Sequence, residues 1–430
     1  VLPEGLTTIT SNAFYAGTDA GRNLRKVVIP STVTSIGSSA FYNQYHLETV
    51  IFTGGTADLT IATTVFMNCT SLKSIVFPAN LVSIDTRAIQ GCTALTSIGV
   101  SEDNATYVSA DGALYTRDAE TGAASSLVLF PIGKTGSFVL PEGTTTVENY
   151  LFQKSQLTSL TLPDTVTSIG NYAFQNSTIQ SITLSEGLTS IGTYAFQNVP
   201  IKSLVLPASL TDIGNYAFDG SSLEAITLPA GVKSVGYYAF QNCDDLRTVT
   251  FEEGFNAEFP IHSRSNNASY PIDGNYTFAN SGVTTVNLAA SMTEIADGMF
   301  FQCEDLTAIN FAENGKLARI GSYAFGAANT SSAYPKITSI EIPGSVTEIA
   351  GGAFNNWQNL TSVTFEEGTQ PLVFGDGNGY SNFSVSRNYT NYGVFGYCTA
   401  LTSVTLPARL TTVGRFTFTG CSSLKTIDFE

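Results

Sequence analysis

The chain has 430 residues, of which 43% are hydrophobic and only 13% charged, and its formal net charge is -16. That acid excess argues against nucleic acid as a partner, because phosphate binding needs clustered Lys and Arg, and it disfavours anionic membrane surfaces. No apolar run approaches the roughly 20 residues of a spanning helix, so no membrane insertion is expected.

Taken in chain order, the sequence repeats. Val1-Leu2-Pro3-Glu4-Gly5 enters in mid-repeat and Ile427-Asp428-Phe429-Glu430 leaves in mid-repeat, as expected of a segment trimmed from a longer protein. An Ala-Phe landmark recurs at Phe14, Phe41 and Phe66, with Ile89 standing in once. Residues 101–137 interrupt the array. There Tyr107–Tyr115 predicts a hairpin around Asp111-Gly112, and Leu127–Pro131 predicts another strand, a variant coil rather than a separate domain. Phe152, Phe174, Phe196, Phe218 and Phe240 then follow at intervals of 22 residues. An insertion at 252–275 precedes Phe278, Phe300, Phe325 and Phe354, and a second at 366–393 precedes Phe395 and Phe418.

Within one unit, Leu160 and Leu162 alternate with Ser159 and Thr161, the period-2 pattern of a strand buried on one face. Pro163 ends that strand by removing a ladder donor. Val166 and Ile169 continue inward through a second, shorter extended stretch, Gly170 permits a turn, and Ala173-Phe174 re-enters the core from a short helical segment. One unit cannot bury these side chains alone, so neighbours must stack into a continuous parallel sheet. The fold class predicted is a repeat solenoid of about 15 coils of 22–23 residues over 1–430, with short strand or helical turns on its convex side. Its coiling is right-handed by the crossover rule.

The run L-x-x-[LIV]-x-[LF]-P-x-x-[LV]-x-x-I-G-x-x-A-F, as in Leu157–Phe174, resembles the BspA-like bacterial leucine-rich repeats. It departs from the commoner leucine-rich consensus, with Thr165 where Asn or Cys is usual. The resemblance spans nearly the whole chain, insertions excepted. It implies a secreted or surface-anchored bacterial protein whose role is adhesion or protein binding.

Cys69, Cys92, Cys243, Cys303, Cys398 and Cys421 all occupy one slot, three residues before the strand Leu. A shared slot reads as packing by small buried thiols rather than as disulfides, and without a C-x-x-C pair no zinc is expected. His46 and His262 lie far apart, and no H-E-x-x-H, G-x-S-x-G or P-loop pattern occurs. Neither catalysis nor a cofactor is predicted. Asp273-Gly274-Asn275 and Asp376-Gly377-Asn378-Gly379 lack the spaced acids of a calcium loop and read as turns.

Binding is better sought elsewhere. One candidate is the small-residue stripe Ser159/Thr161, Ser181/Thr183 and onward. Another is the tyrosine ladder two residues before the landmark, Tyr150, Tyr172, Tyr194, Tyr216, Tyr238, Tyr276 and Tyr323, which ring-on-ring packing explains without a ligand. The insertions are the favoured surface, since loops on a rigid scaffold carry specificity and Tyr, Asn, Ser and Arg suit contact surfaces. Candidate ligand-binding residues are Phe255, Phe259, Arg264 and Tyr270 in the first, and Phe374, Tyr380, Phe383, Arg387, Tyr389 and Tyr392 in the second. The expected function is an extracellular, monomeric module that binds a host or neighbouring-cell protein or glycan. The alternative is a passive spacer in a longer surface protein.

Overall fold

A computed structural model describes residues 1–17, 23–262, 273–327, 333–375 and 393–429. Within them the chain is a parallel-strand solenoid of about 17 turns without a helix. It gathers into two compact units, Val1–Leu188 with Tyr194–Pro200, and Thr189–Thr193 with Ile201–Glu430.

Most turns contribute to two parallel ladders. In the first unit Lys26–Ile29 pairs with Thr49–Phe52, with Val27 opposite Val50 and Ile29 opposite Phe52. In the second, Ala225–Leu228 pairs with Thr248–Phe251 in the same register sense. Alternation decides which face is buried: Ile226 and Leu228 are in the core while Ala225 and Thr227 are exposed. The prolines do end these strands. The carbonyls of Pro163, Pro229 and Pro343 accept the N–H three residues on, from Val166, Val232 and Val346, each at 3.1 Å. The second ladder uses two-residue strands, such as Asp212–Ile213 lying between Ser190–Ile191 and Ser234–Val235.

The Ala-Phe segment is not the helical turn that its sequence suggested. The residues two before and two after the landmark Phe take positive φ, 58° at Tyr172 and 56° at Asn176. That left-handed geometry swings alternate N–H groups out of the coil. Tyr150, Phe152 and Lys154 donate to Asn171, Ala173 and Gln175 of the next coil at 2.9–3.0 Å, while Gln153 and Ser155 bond three residues back. A helix, which needs every N–H turned along its own axis, cannot run through this pattern.

Stacked rings fill the interior. In the second unit Phe218, Phe240, Phe278, Phe300, Phe325, Phe354, Phe395 and Phe418 form one column, with centroids 4.9–5.9 Å apart and planes within 12°. Burying each such ring is worth about 2–3 kcal/mol. The tyrosine ladder stacks as expected, Tyr150 on Tyr172 and Tyr172 on Tyr194 in one unit, Tyr216 on Tyr238 and Tyr238 on Tyr276 in the other, at 4.9–5.6 Å.

The six thiols are free, and five are buried. Their slot does more than fill space, because each Sγ donates to the carbonyl of the landmark Phe one coil earlier. Cys92 reaches Phe66 at 3.1 Å, Cys243 reaches Phe218 at 3.2 Å and Cys303 reaches Phe278 at 3.2 Å. Burial pushes the Cys243 and Cys303 thiols up to about 12.

Residues 101–137 fold as the hairpin expected. Tyr107–Ala110 and Ala113–Arg117 pair antiparallel around Asp111-Gly112, both at positive φ, and Ala124–Leu129 adds a third strand. The solenoid closes across this excursion: Gln156 Nε2 donates to the Thr93 carbonyl at 2.8 Å, and Gly133 N–H to that of Leu95 at 2.8 Å.

Candidate functional site

The first residues of each insertion complete the repeat. In the first insertion, Phe255 N–H donates to the Glu252 carbonyl at 2.9 Å, the bond that Val232 makes to Pro229 one coil earlier. Phe255 is therefore a core residue, its ring 4.9 Å from Phe251. Glu258 then bridges Ser234 in parallel, its N–H bonded to Lys233 at 2.8 Å and its carbonyl to Val235 N–H at 3.0 Å. In the second insertion Leu372–Phe374 pairs with Glu348–Ile349 on one side and Leu410–Val413 on the other. Phe374 is buried there, 5.8 Å from Phe365 and 5.9 Å from Phe395. Of the ten candidate ligand residues, then, Phe255 and Phe374 are core. Phe259 is half-buried at the surface of the insertion. Arg264, Tyr270, Tyr380, Phe383, Arg387, Tyr389 and Tyr392 lie outside the described residues.

The first insertion opens the second ladder. Glu258 is bonded to the coil before it, but among the described residues Glu294–Ile295 of the coil after pairs with Arg319–Ile320 alone. The base of the gap is stapled. Gly254 N–H donates to Ser291 Oγ at 3.0 Å, Ser291 Oγ to the Phe255 carbonyl at 2.9 Å, and Ala290 N–H to Glu253 at 2.9 Å. The staple runs on to Thr293, whose N–H and Oγ1 reach Asn256 Oδ1 at 3.4 and 3.3 Å, and beside it the two coils part, leaving a cleft of about 620 Å³ lined from 255–261 and 292–297.

Its rim is apolar on one side. Ile261 is 54% exposed, and Phe259 stands beside it, 6.2 Å from the Phe255 ring that anchors it. Its floor is charged. Arg319 Nη2 bonds Asp297 Oδ1 at 2.8 Å, Nη1 bonds Glu294, and Nε lies 3.6 Å from Glu348. Burial works against the guanidinium, yet Asp297, Glu294 and Glu348 together hold it above its usual range. Asp297 Oδ1 also accepts Ser322 N–H at 2.7 Å. Asn275 ties down the return of the loop, donating to the carbonyls of Val235 at 3.2 Å and Pro260 at 2.9 Å. His262, at the end of the described part of the insertion, packs 4.4 Å from the Tyr237 ring.

This arrangement suits recognition. The guanidinium on the floor is shared among three carboxylates, so it is no free anion receptor. Among the described residues no group of three or more His, Cys, Asp or Glu could hold a metal ion. The notched ladder and the Arg319 network were not foreseen from the sequence. The signal was present in Arg319, Glu294 and Glu348, which share one exposed slot of successive second-ladder strands.

The model of the BspA type leucine-rich repeat region matches residues 1–111, 145–260, 272–371 and 331–430. No curated protein matches the chain. Among solved structures, a leucine-rich repeat protein from Bacteroides ovatus is similar over 100% of this chain and 94% of its own, with 18% identity and a TM-score of 0.53. The pneumococcal vaccine antigen PcpA is similar over 65% of this chain, with 23% identity and a TM-score of 0.53, and the match covers 66% of the antigen, just under two thirds. A leucine-rich cell surface protein from Faecalibacterium prausnitzii is 19% identical over 99% of this chain and 83% of its own, with a TM-score of 0.37. With the family model covering most of its length and the stacked coils matching that repeat, the chain belongs to the BspA-type leucine-rich repeat family.

Proposed function

We propose that this chain is a non-enzymatic protein-interaction module, secreted or held at a bacterial surface. Its partner, a host or neighbouring-cell protein or glycan, docks at the cleft beside the first insertion. One observation carries this reading: the insertion opens a cleft of about 620 Å³ with an apolar rim above a fixed charged floor. Concave sites with a few placed polar groups are where ligands bind. The membership of the repeat family supports an interaction role, and the likeness to a vaccine antigen supports a surface or secreted setting. Arg264 and Tyr270, and in the second insertion Tyr380, Phe383, Arg387, Tyr389 and Tyr392, are proposed as further contact residues. Phe255 and Phe374 are assigned to anchoring the insertions.

The test is to immobilise the chain and probe it with a glycan array and with matrix and mucus proteins. The proposal expects at least one saturable ligand. Retention of nothing would leave a passive spacer as the better account.

A further inference from the structure

A second opening lies in the first ladder of the same unit. Ala308–Asn310 pairs with Thr285–Asn287 before it, and Ser339–Ile342 pairs with Ser362–Phe365 after it, but the two inner strands are not paired with each other. They start together, with Lys336 N–H donating to the Leu306 carbonyl at 2.7 Å, and then diverge. The cleft between them measures about 390 Å³ and is lined by 307–311 on one side and Ser339, Ile340 and Glu341 on the other.

One fact distinguishes this break from other unpaired neighbours in the ladder. The core row opens on its first edge: Ile309 and Phe311 are half-buried, whereas their counterparts Val286 and Leu288 one coil earlier, and Ile340 and Ile342 across the break, are buried. At the unpaired neighbours Ser362–Phe365 and Ser403–Leu406, Phe365 is half-buried as Phe311 is, but Val363 and Val404, the counterparts of Ile309 and Ile340, stay buried. Both edges also present unused backbone groups. In parallel ladders alternate residues bond to alternate sides, so Ile309 on one edge, and Ser339 and Glu341 on the other, turn their N–H and C=O into the cleft. Among the described residues none of these groups has a hydrogen-bond partner. Edges of this kind are templates for an added strand.

The side chains specify the occupant. On the outer face a hydrogen-bonded row runs Thr250, Asn287, Asn310: Asn287 Nδ2 donates to Thr250 Oγ1 at 3.0 Å and Asn310 Nδ2 to Asn287 Oδ1 at 2.7 Å. The next member across the break is the exposed carboxylate Glu341, and Glu366 also lines the cleft. We infer that an extended segment of a partner protein inserts here as a strand, placing apolar side chains between Ile309 and Ile340 and between Phe311 and Ile342, and a lysine or arginine between Asn310 and Glu341. The inference uses a different site from the cleft at Phe259 and stands without it.

The probe is a fluorescent peptide containing Thr-Val-Lys-Val, titrated by anisotropy against the whole chain. Saturable binding is expected, at least tenfold weaker when the first Val is replaced by Pro, which deletes a backbone donor and fixes φ. Glu341→Lys alters an exposed side chain, so the fold is kept, which a thermal melt verifies. It should weaken the Lys peptide at least tenfold and favour Thr-Val-Glu-Val instead. Phe259→Asp should leave this binding unchanged. No binding of the Lys peptide to the folded wild type, or equal binding of the Pro peptide, would overturn the inference.

Discussion

The indole Nε1 of Trp357 donates to the carbonyl of Phe325 at 2.8 Å, and so makes in its coil the bond that a cysteine thiol makes in six others. Gln44 fills the same slot near the N-terminus, its Nε2 reaching the Phe14 carbonyl at 2.6 Å. Cys, Trp and Gln thus fill the slot with a buried donor aimed one coil back, whereas Val199 fills it by packing alone and the buried hydroxyls of Ser155 and Ser177 fill it without a hydrogen-bond partner. Trp357→Phe keeps an aromatic body but strands the Phe325 carbonyl, which predicts a loss of about 2–3 kcal/mol. Cys243→Ser should cost under about 1 kcal/mol and Cys243→Val about 2 kcal/mol, since only serine keeps a donor. Urea midpoints of the three variants check the order.

The buried thiols make stability fall in alkali. Cys243 and Cys303 sit near 12 in the folded chain and about 8.5 unfolded. Below the unfolded value both states are neutral and the contribution is complete. Above it the unfolded chain loses protons first, so each thiol removes about 1 kcal/mol per pH unit until the folded value is reached. Urea midpoints between pH 7 and 10 should fall more steeply for the wild type than for a Cys243→Ser, Cys303→Ser double variant.

Two glycines with similar backbones should respond very differently. Gly298 and Gly54 have φ of 70° and 75°. A Cβ on Gly298 would lie 2.5 Å from the Tyr276 ring, whereas nothing lies within 4 Å of one on Gly54. Gly54→Ala should cost only the left-handed penalty, about 1 kcal/mol. Gly298→Ala must also displace the tyrosine stack and should cost about 3 kcal/mol or more. Thermal denaturation of the pair is the measurement.

Removing the cation from the cleft floor should destabilise the second unit. Arg319→Ala leaves the buried Asp297 carboxylate without its charge partner. Because the guanidinium is partly exposed, about 2 kcal/mol is expected, below the cost of a fully buried pair. Arg319→Ala, Asp297→Asn should recover part of that loss. Urea unfolding of the single and double variants supplies the comparison.

The repeat was legible because its signal is periodic. Phe152 to Phe240 at a fixed interval, alternation at Leu160 and Leu162, and a terminating Pro163 leave little freedom once neighbours must bury one another. The hairpin at Asp111-Gly112 was equally plain. The helical reading of the Ala-Phe turn failed because four residues cannot display a helical period. The decisive clue was local: Asn or Gly two residues after the landmark, at Asn43, Asn68, Gly91, Asn176, Asn198 and Gly220, which are residues that tolerate left-handed φ. The cleft was only half legible. Composition pointed to the insertion, but Phe255 and Phe374 were indistinguishable from surface aromatics until the register showed them in core slots. The break between Asn310 and Ser339 left no compositional mark, since each strand alone has an ordinary alternating pattern.

The central claim is that partner binding resides at the cleft beside the first insertion. The direct measurement is the affinity of a captured ligand for the wild type and for a Phe259→Asp, Ile261→Asp double variant, by surface plasmon resonance. Both side chains stand at the surface, so the fold should persist, and a matching thermal melt verifies it. A loss of at least tenfold is predicted, with off-rate carrying most of it. An unchanged affinity in the folded variant would contradict the claim.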